Sequence, residues 1–183
     1  MSSSLERLKQ SHDVDIVWRS FELRPKGSPP ISPEYLKRIE ATRPRLHKMA
    51  REQYGLELNP GPMGLSSRDA LIGMKYAEAQ VTGAKYHDAV FRAYWQHAQR
   101  IDDRSVLSDI AQSIGLDRQL FLDALDSEDF EHEVESDIEQ AYQYGLNGVP
   151  ALVFAGKYLV SGAQPYDVLR QVVEKIEAET SSP

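Results

Sequence analysis

The apolar positions of this chain change their period twice. Leu5 and Leu8 stand three apart among Glu6, Arg7 and Lys9, so Leu5 to Lys9 reads as the last turns of a short amphipathic helix. Asp15 to Phe21 (DIVWRSF) then alternates and is rich in β-branched and aromatic residues, which predicts a strand closed by Leu23-Arg24-Pro25. Pro25 to Pro33 is a loop by composition.

From Pro33 to about Gly145 the spacing is helical. Ser32 caps a helix with Pro33 at its first position, running to Tyr54 with Gly55 as its stop; Pro44 inside it should kink or divide it. Leu56 to Leu65 is a loop. Ser66 and Asp69 read as a capping box for a helix ending near Gly83. Ala84 to about Gln99 carries Tyr86, Val90, Phe91, Tyr94 and Trp95, an aromatic stripe expected to pack in the core. Asp103 to Ile114 and Asp117 to Leu125 are short helices with aspartate caps, and Ser127 to Tyr144 is a longer acidic helix closed by Gly145.

After Pro150 the period returns to two. Ala151 to Phe154 and Lys157 to Ser161 form a hairpin about Ala155-Gly156. Pro165 opens a last helix with Val168, Leu169, Val172, Val173 and Ile176 as its buried stripe. The order strand, helical block, hairpin, helix predicts an α/β fold, a small sheet domain interrupted by helices.

Composition narrows the function. With 41% hydrophobic and 27% charged residues in 183, the chain is globular, and it has no apolar run long enough to span a membrane. A net charge of −7 argues against a nucleic-acid or anionic-membrane partner, and the basic stretch Arg43 to Arg51 reads as a solvated helix face. The N-terminal residues lack the apolar core of a signal peptide, so a cytoplasmic location is expected.

Cysteine is absent, which removes thiolate metal sites and thiol nucleophiles together. His12, His47, His87, His97 and His132 include no pair at helical metal-site spacing, so no metal and no other cofactor is expected. No Gly-x-Ser-x-Gly elbow or phosphate-cradling glycine loop occurs. What remains is Asn147-Gly-Val-Pro-Ala-Leu-Val-Phe154, where a proline stands before the most apolar strand. Either it is a trans proline starting an edge strand, or a cis Val149-Pro150 bond, whose intrinsic cost is only about 0.5–1 kcal/mol.

Three blocks taken together, Asp15 to Pro25, Tyr86 to Trp95 and Gly148 to Gln164, resemble the DsbA-like thioredoxin-fold family, and within it the FrnE-type thiol-disulfide oxidoreductases. The resemblance implies a thioredoxin-like domain, residues 1–32 and 145–183, interrupted by an all-helical insertion domain, residues 33–144. It implies that Pro150 is the cis-proline and Val149 the residue contacting substrate, a thiol or disulfide protein or a small thiol.

In that family a first strand and a Cys-x-x-Cys motif precede the segment matching Ser4 to Leu8. The expectation is therefore a chain truncated at an internal methionine, lacking its first strand and redox-inactive. That strand would lie between Asp15–Phe21 and Ala151–Phe154, so its loss predicts open ladder groups, a marginal fold or a strand borrowed from a partner, and with it a possible homodimer. Two alternatives remain open: a redox-dead peptide- or partner-binding module, and a glutathione-dependent enzyme of the related kappa-class branch, in which Ser2, Ser3 or Ser4 would replace the first cysteine.

Overall fold

The structure, a computed structural model, describes residues 2–180. It divides into two compact units, one holding the two ends of the chain, up to Leu23 and from Ser136, the other running from Arg24 to Glu135.

In the unit of the chain ends, α1 (Ser2–Ser11) packs on α8 (Tyr166–Thr180). Leu5, Leu8, Leu169 and Val173 are buried between them because each pair recurs at helical spacing. This layer covers one face of a hairpin, β1 (Ala151–Phe154) and β2 (Tyr158–Ser161), through Leu152, Phe154 and Val160. The register pairs Ala151 with Ser161 and Phe154 with Tyr158. Ala155 and Gly156 both have positive φ, 50° and 66°, as the tight turn between right-twisted strands requires. Lys157 and Tyr158 both reach Glu179, fastening the hairpin to α8. Val168, counted in the buried stripe of α8 from its spacing, is 37% exposed.

Asp15 to Phe21 is not a strand. Its early alternation is kept, with Val14 and Ile16 against the α1–α8 layer and Asp15 and Val17 facing solvent. A strand needs a neighbour to share its ladder, and among the described residues the sheet consists of β1 and β2. The segment is tied down instead by Asp137, buried on α7 (Glu128–Gln143), which accepts from Arg19 Nη1 and Ser20 N, each at 2.9 Å.

The second unit is helical: α2 (Pro33–Tyr54), α3 (Arg68–Ala79), α4 (Gly83–Trp95), α5 (Arg104–Ser113), α6 (Arg118–Ala124) and the start of α7. Ser32 Oγ accepts from Tyr35 N at 3.2 Å and Gly55 closes α2 with φ 63°; the helix continues through Pro44 rather than dividing there. Asp103 and Asp117 cap α5 and α6 as their position before each apolar run predicts. The core gathers around α3, where Tyr76, Tyr86 and Phe121 meet edge-on or tilted.

Three sequence expectations fail in this unit, wholly or in part. Asp69 does not close a capping box with Ser66; Arg104 draws its carboxylate away at 2.8 Å, so a long-range ion pair outcompetes the local bond. Helix α3 ends at Ala79 and Gly83 opens α4 instead of ending its predecessor, the turn being made by Val81 at φ 58°. The aromatic stripe is also only half core: Tyr86 and Val90 are buried, but Phe91 and Trp95 are 53% and 39% exposed. No described helix is long and apolar enough to cross a membrane.

Candidate functional site

Helix α7 ends at Gln143, Gly145 with φ 70° turns the chain away from it, and Leu146 N closes on Ala141 O at 3.0 Å. Asn147 and Gly148 then carry the chain to Val149-Pro150, and the Val149–Pro150 peptide bond is cis. Pro150 O accepts from Gly162 N at 2.8 Å, which docks the loop onto the far end of β2. Gly145 to Pro150, with Leu159, Ser161 and Gly162, line a shallow pocket of about 290 Å³.

The sequence singled out Val149 and Pro150, and both are exposed at this pocket, Val149 by 52%. Leu159, Ser161 and Gly162 escaped the sequence reading because their place beside Pro150 follows from the hairpin register. The sequence did not carry that register: the strands pair Phe154 with Tyr158 about the three residues Ala155-Gly156-Lys157, which sets residue 162 opposite residue 150, whereas a two-residue turn with Lys157 already in the strand would set it opposite residue 149.

The pocket contains no titratable side chain; Asn147 and Ser161 are its polar residues. Its main resource is backbone. Since Pro150 faces Gly162 across the ladder, Leu152 and Phe154 also bond to β2, and the N–H and C=O of Ala151 and Val153 point to the opposite edge. Among the described residues no strand lies along that edge, and Val149 at its head forms no backbone hydrogen bond.

A larger depression of about 560 Å³ lies between α4 and α5, lined by Lys85, Asp88, Arg92, His97, Ile110 and Ile114 among others. It is open, the Ser113 hydroxyl in its lining donates to Ile110 O at 2.6 Å, and Arg92 is engaged by Asp88 at 3.9 Å, so size does not make it the better candidate. His12 meets Ser11 Oγ at 2.8 Å, His87 stacks on Phe91, and His132 is exposed. Among the described residues no three His, Asp or Glu side chains gather as a metal site. Of the three serines considered as cysteine replacements, the side chains of Ser2 and Ser3 lie outside the described residues, and Ser4 is half-buried in the first turn of α1.

Comparison with known proteins identifies the surroundings of this loop. A family model described as DSBA-like thioredoxin domain matches residues 1–174. The uncharacterized protein YwbO of Bacillus subtilis is 28% identical over 180 residues, 93% of this chain and 86% of that protein. A probable DsbA oxidoreductase of Streptomyces coelicolor superimposes with a TM-score of 0.83 at 25% identity, covering 100% of this chain and 85% of the other. A 2-hydroxychromene-2-carboxylate isomerase superimposes with a TM-score of 0.73, also at 25% identity, covering 97% and 90%.

Proposed function

Because the chain belongs to the DSBA-like thioredoxin domain family, we propose that its Val149–Pro150 loop is the substrate-holding half of a thiol-disulfide exchange site. The observation that carries this reading is the exposed Val149 at the head of an unpaired β1 edge, in a pocket without charge. An extended substrate can pair there through its own backbone, with Val149 and Pro150 as the contact residues. Exchange itself is attack of a thiolate on a disulfide sulfur, and these residues contain no cysteine to provide one. The 183 residues therefore bind without exchanging. The substrate class is a thiol- or disulfide-bearing peptide, the nearest branch the FrnE type, and the expected location cytoplasmic, which fractionation of native cells checks.

The test uses a fluorescein-labelled extended peptide containing one S-methylcysteine, so that binding is read without chemistry. Saturable anisotropy is expected, and Val149→Asp, at an exposed position, weakens it about tenfold or more. No saturation with the wild-type chain, or an unchanged Kd in the variant, removes the reading. In parallel the chain should leave dithiothreitol-driven insulin reduction at its uncatalysed rate; acceleration would overturn redox inactivity.

One second reading has an observation of its own, the likeness to the isomerase. It is a glutathione-dependent activity with Ser2, Ser3 or Ser4 in place of the family's first cysteine. Glutathione should then raise the melting temperature of the chain; no shift at saturating glutathione disposes of it.

A further inference from the structure

Helix α2 has two apolar arcs, and this chain covers one of them. Leu36, Ile39, His47 and Ala50 form the first, half-buried or buried. Tyr35, Leu46 and Met49 form the second and are 45%, 41% and 42% exposed. Their separations fall on one line of a helix with 3.6 residues per turn. Arg38 and Arg45 lie on the same side, Arg38 above the Tyr35 ring at 4.9 Å. An exposed apolar line rimmed by arginine has the anatomy of a binding surface, since its centre gains by losing water and its rim selects charge.

The charge says what fits. Helix α2 carries six Lys and Arg against three Glu, in a chain whose net charge is −7. Among the described residues Lys37, Arg43 and Arg45 make no ion pair. Helix α7 is the opposite, with seven Asp and Glu and no Lys or Arg. Asp129 and Glu133, one turn apart, are exposed and also without an ion pair among the described residues. Two α2 helices would repel each other, whereas α2 of one molecule against α7 of another pairs opposite charges, and a two-fold axis makes that contact twice.

We infer that a second copy of this chain covers the exposed arc of α2, each protomer setting its α2 against the acidic face of its partner's α7. Tyr35, Leu46 and Met49 lose water at the centre, and Arg38 and Arg45 meet carboxylates at the rim. The contact goes beyond the substrate-holding role of the Val149–Pro150 loop and stands or falls independently of it.

Sedimentation velocity on the full chain tests it. The wild type should form a dimer that weakens as salt rises. The variants Arg38→Glu/Arg45→Glu and Asp129→Arg/Glu133→Arg should each be monomeric with unchanged far-UV circular dichroism. Mixed in equal amounts they should dimerise again, because both contacts regain opposite charges. Met49→Gln, neutral and at an exposed helical position, should weaken the dimer severalfold and keeps the test decisive if a charge-reversed variant fails to fold. A wild type that stays monomeric at all concentrations, a dimer indifferent to these changes, or a mixture that stays monomeric would overturn the inference. So would a monomer whose α2 resonances shift only on adding polyglutamate, since the arc would then belong to a foreign acidic partner.

Discussion

Gly73 shows how much of the helical core rests on a single missing methyl group. A Cβ there would stand 2.5 Å from Tyr86 Oη and 2.7 Å from Phe121 Cζ. Both rings are buried, Tyr86 at 1% and Phe121 at 0% exposure, so neither can swing into solvent. Burial also raises the Tyr86 hydroxyl pKa far above its ordinary value, which leaves it neutral at any physiological pH. Gly73→Ala should therefore destabilise the helical unit by about 1–3 kcal/mol through overpacking, although alanine is the better helix former. Urea unfolding followed by far-UV circular dichroism measures it. A stabilised variant would mean that the rings yield and that the helix propensity of alanine wins.

At the scale of elements, α5 depends on the ionisation of its own N-terminus. Hydrogen bonds from the Ser105 hydroxyl and backbone hold the Asp103 carboxyl below its ordinary pKa, and Arg100 does the same for Asp102. A folded-state pKa below the unfolded value of about 3.9 contributes stability that is complete above that value and is lost as pH falls through the lowered one. Amide protection in the first turn of α5 should stay constant down to about pH 5 and decline only below pH 4. A decline beginning above pH 5, or full protection at pH 2, would contradict this assignment of the cap.

These caps were legible in the sequence because each bond closes within three residues. So was the Ala155-Gly156 turn, and from it the place of Val149 and Pro150 at a strand's mouth. Asp15 to Phe21 was not, since alternation declares a preference for extended backbone while a strand requires a ladder partner distant in sequence. The Asp69 cap and the aromatic stripe fail for the same reason: Arg104, 35 residues away, settles the first, and the width of the covered face of α4 settles the second. At the site, the choice between a cis and a trans peptide bond at Pro150 needed coordinates.

At the scale of the whole molecule, no strand pairs with the outer edge of β1 among the described residues. Natural edges are blunted by lysine, proline, bulges or cover, yet β1 reads Ala-Leu-Val-Phe without a charge. Its outward ladder groups belong to Ala151 and Val153, the positions that do not bond to β2. The edge proposed above to hold an extended substrate has the same ladder groups that the β1 of another molecule would pair with, so on that proposal binding and aggregation share one surface. Val153→Pro separates them from folding. It deletes an N–H that the hairpin does not use, and Val153 is not among the residues packed against the α1–α8 cluster. The variant should keep its circular dichroism and melting temperature, and on incubation with thioflavin T its lag should lengthen severalfold over the wild type. An unchanged lag would place the aggregating strand elsewhere. A lost fold would show that Val153 faces the ladder after all and that the register about Pro150 is different.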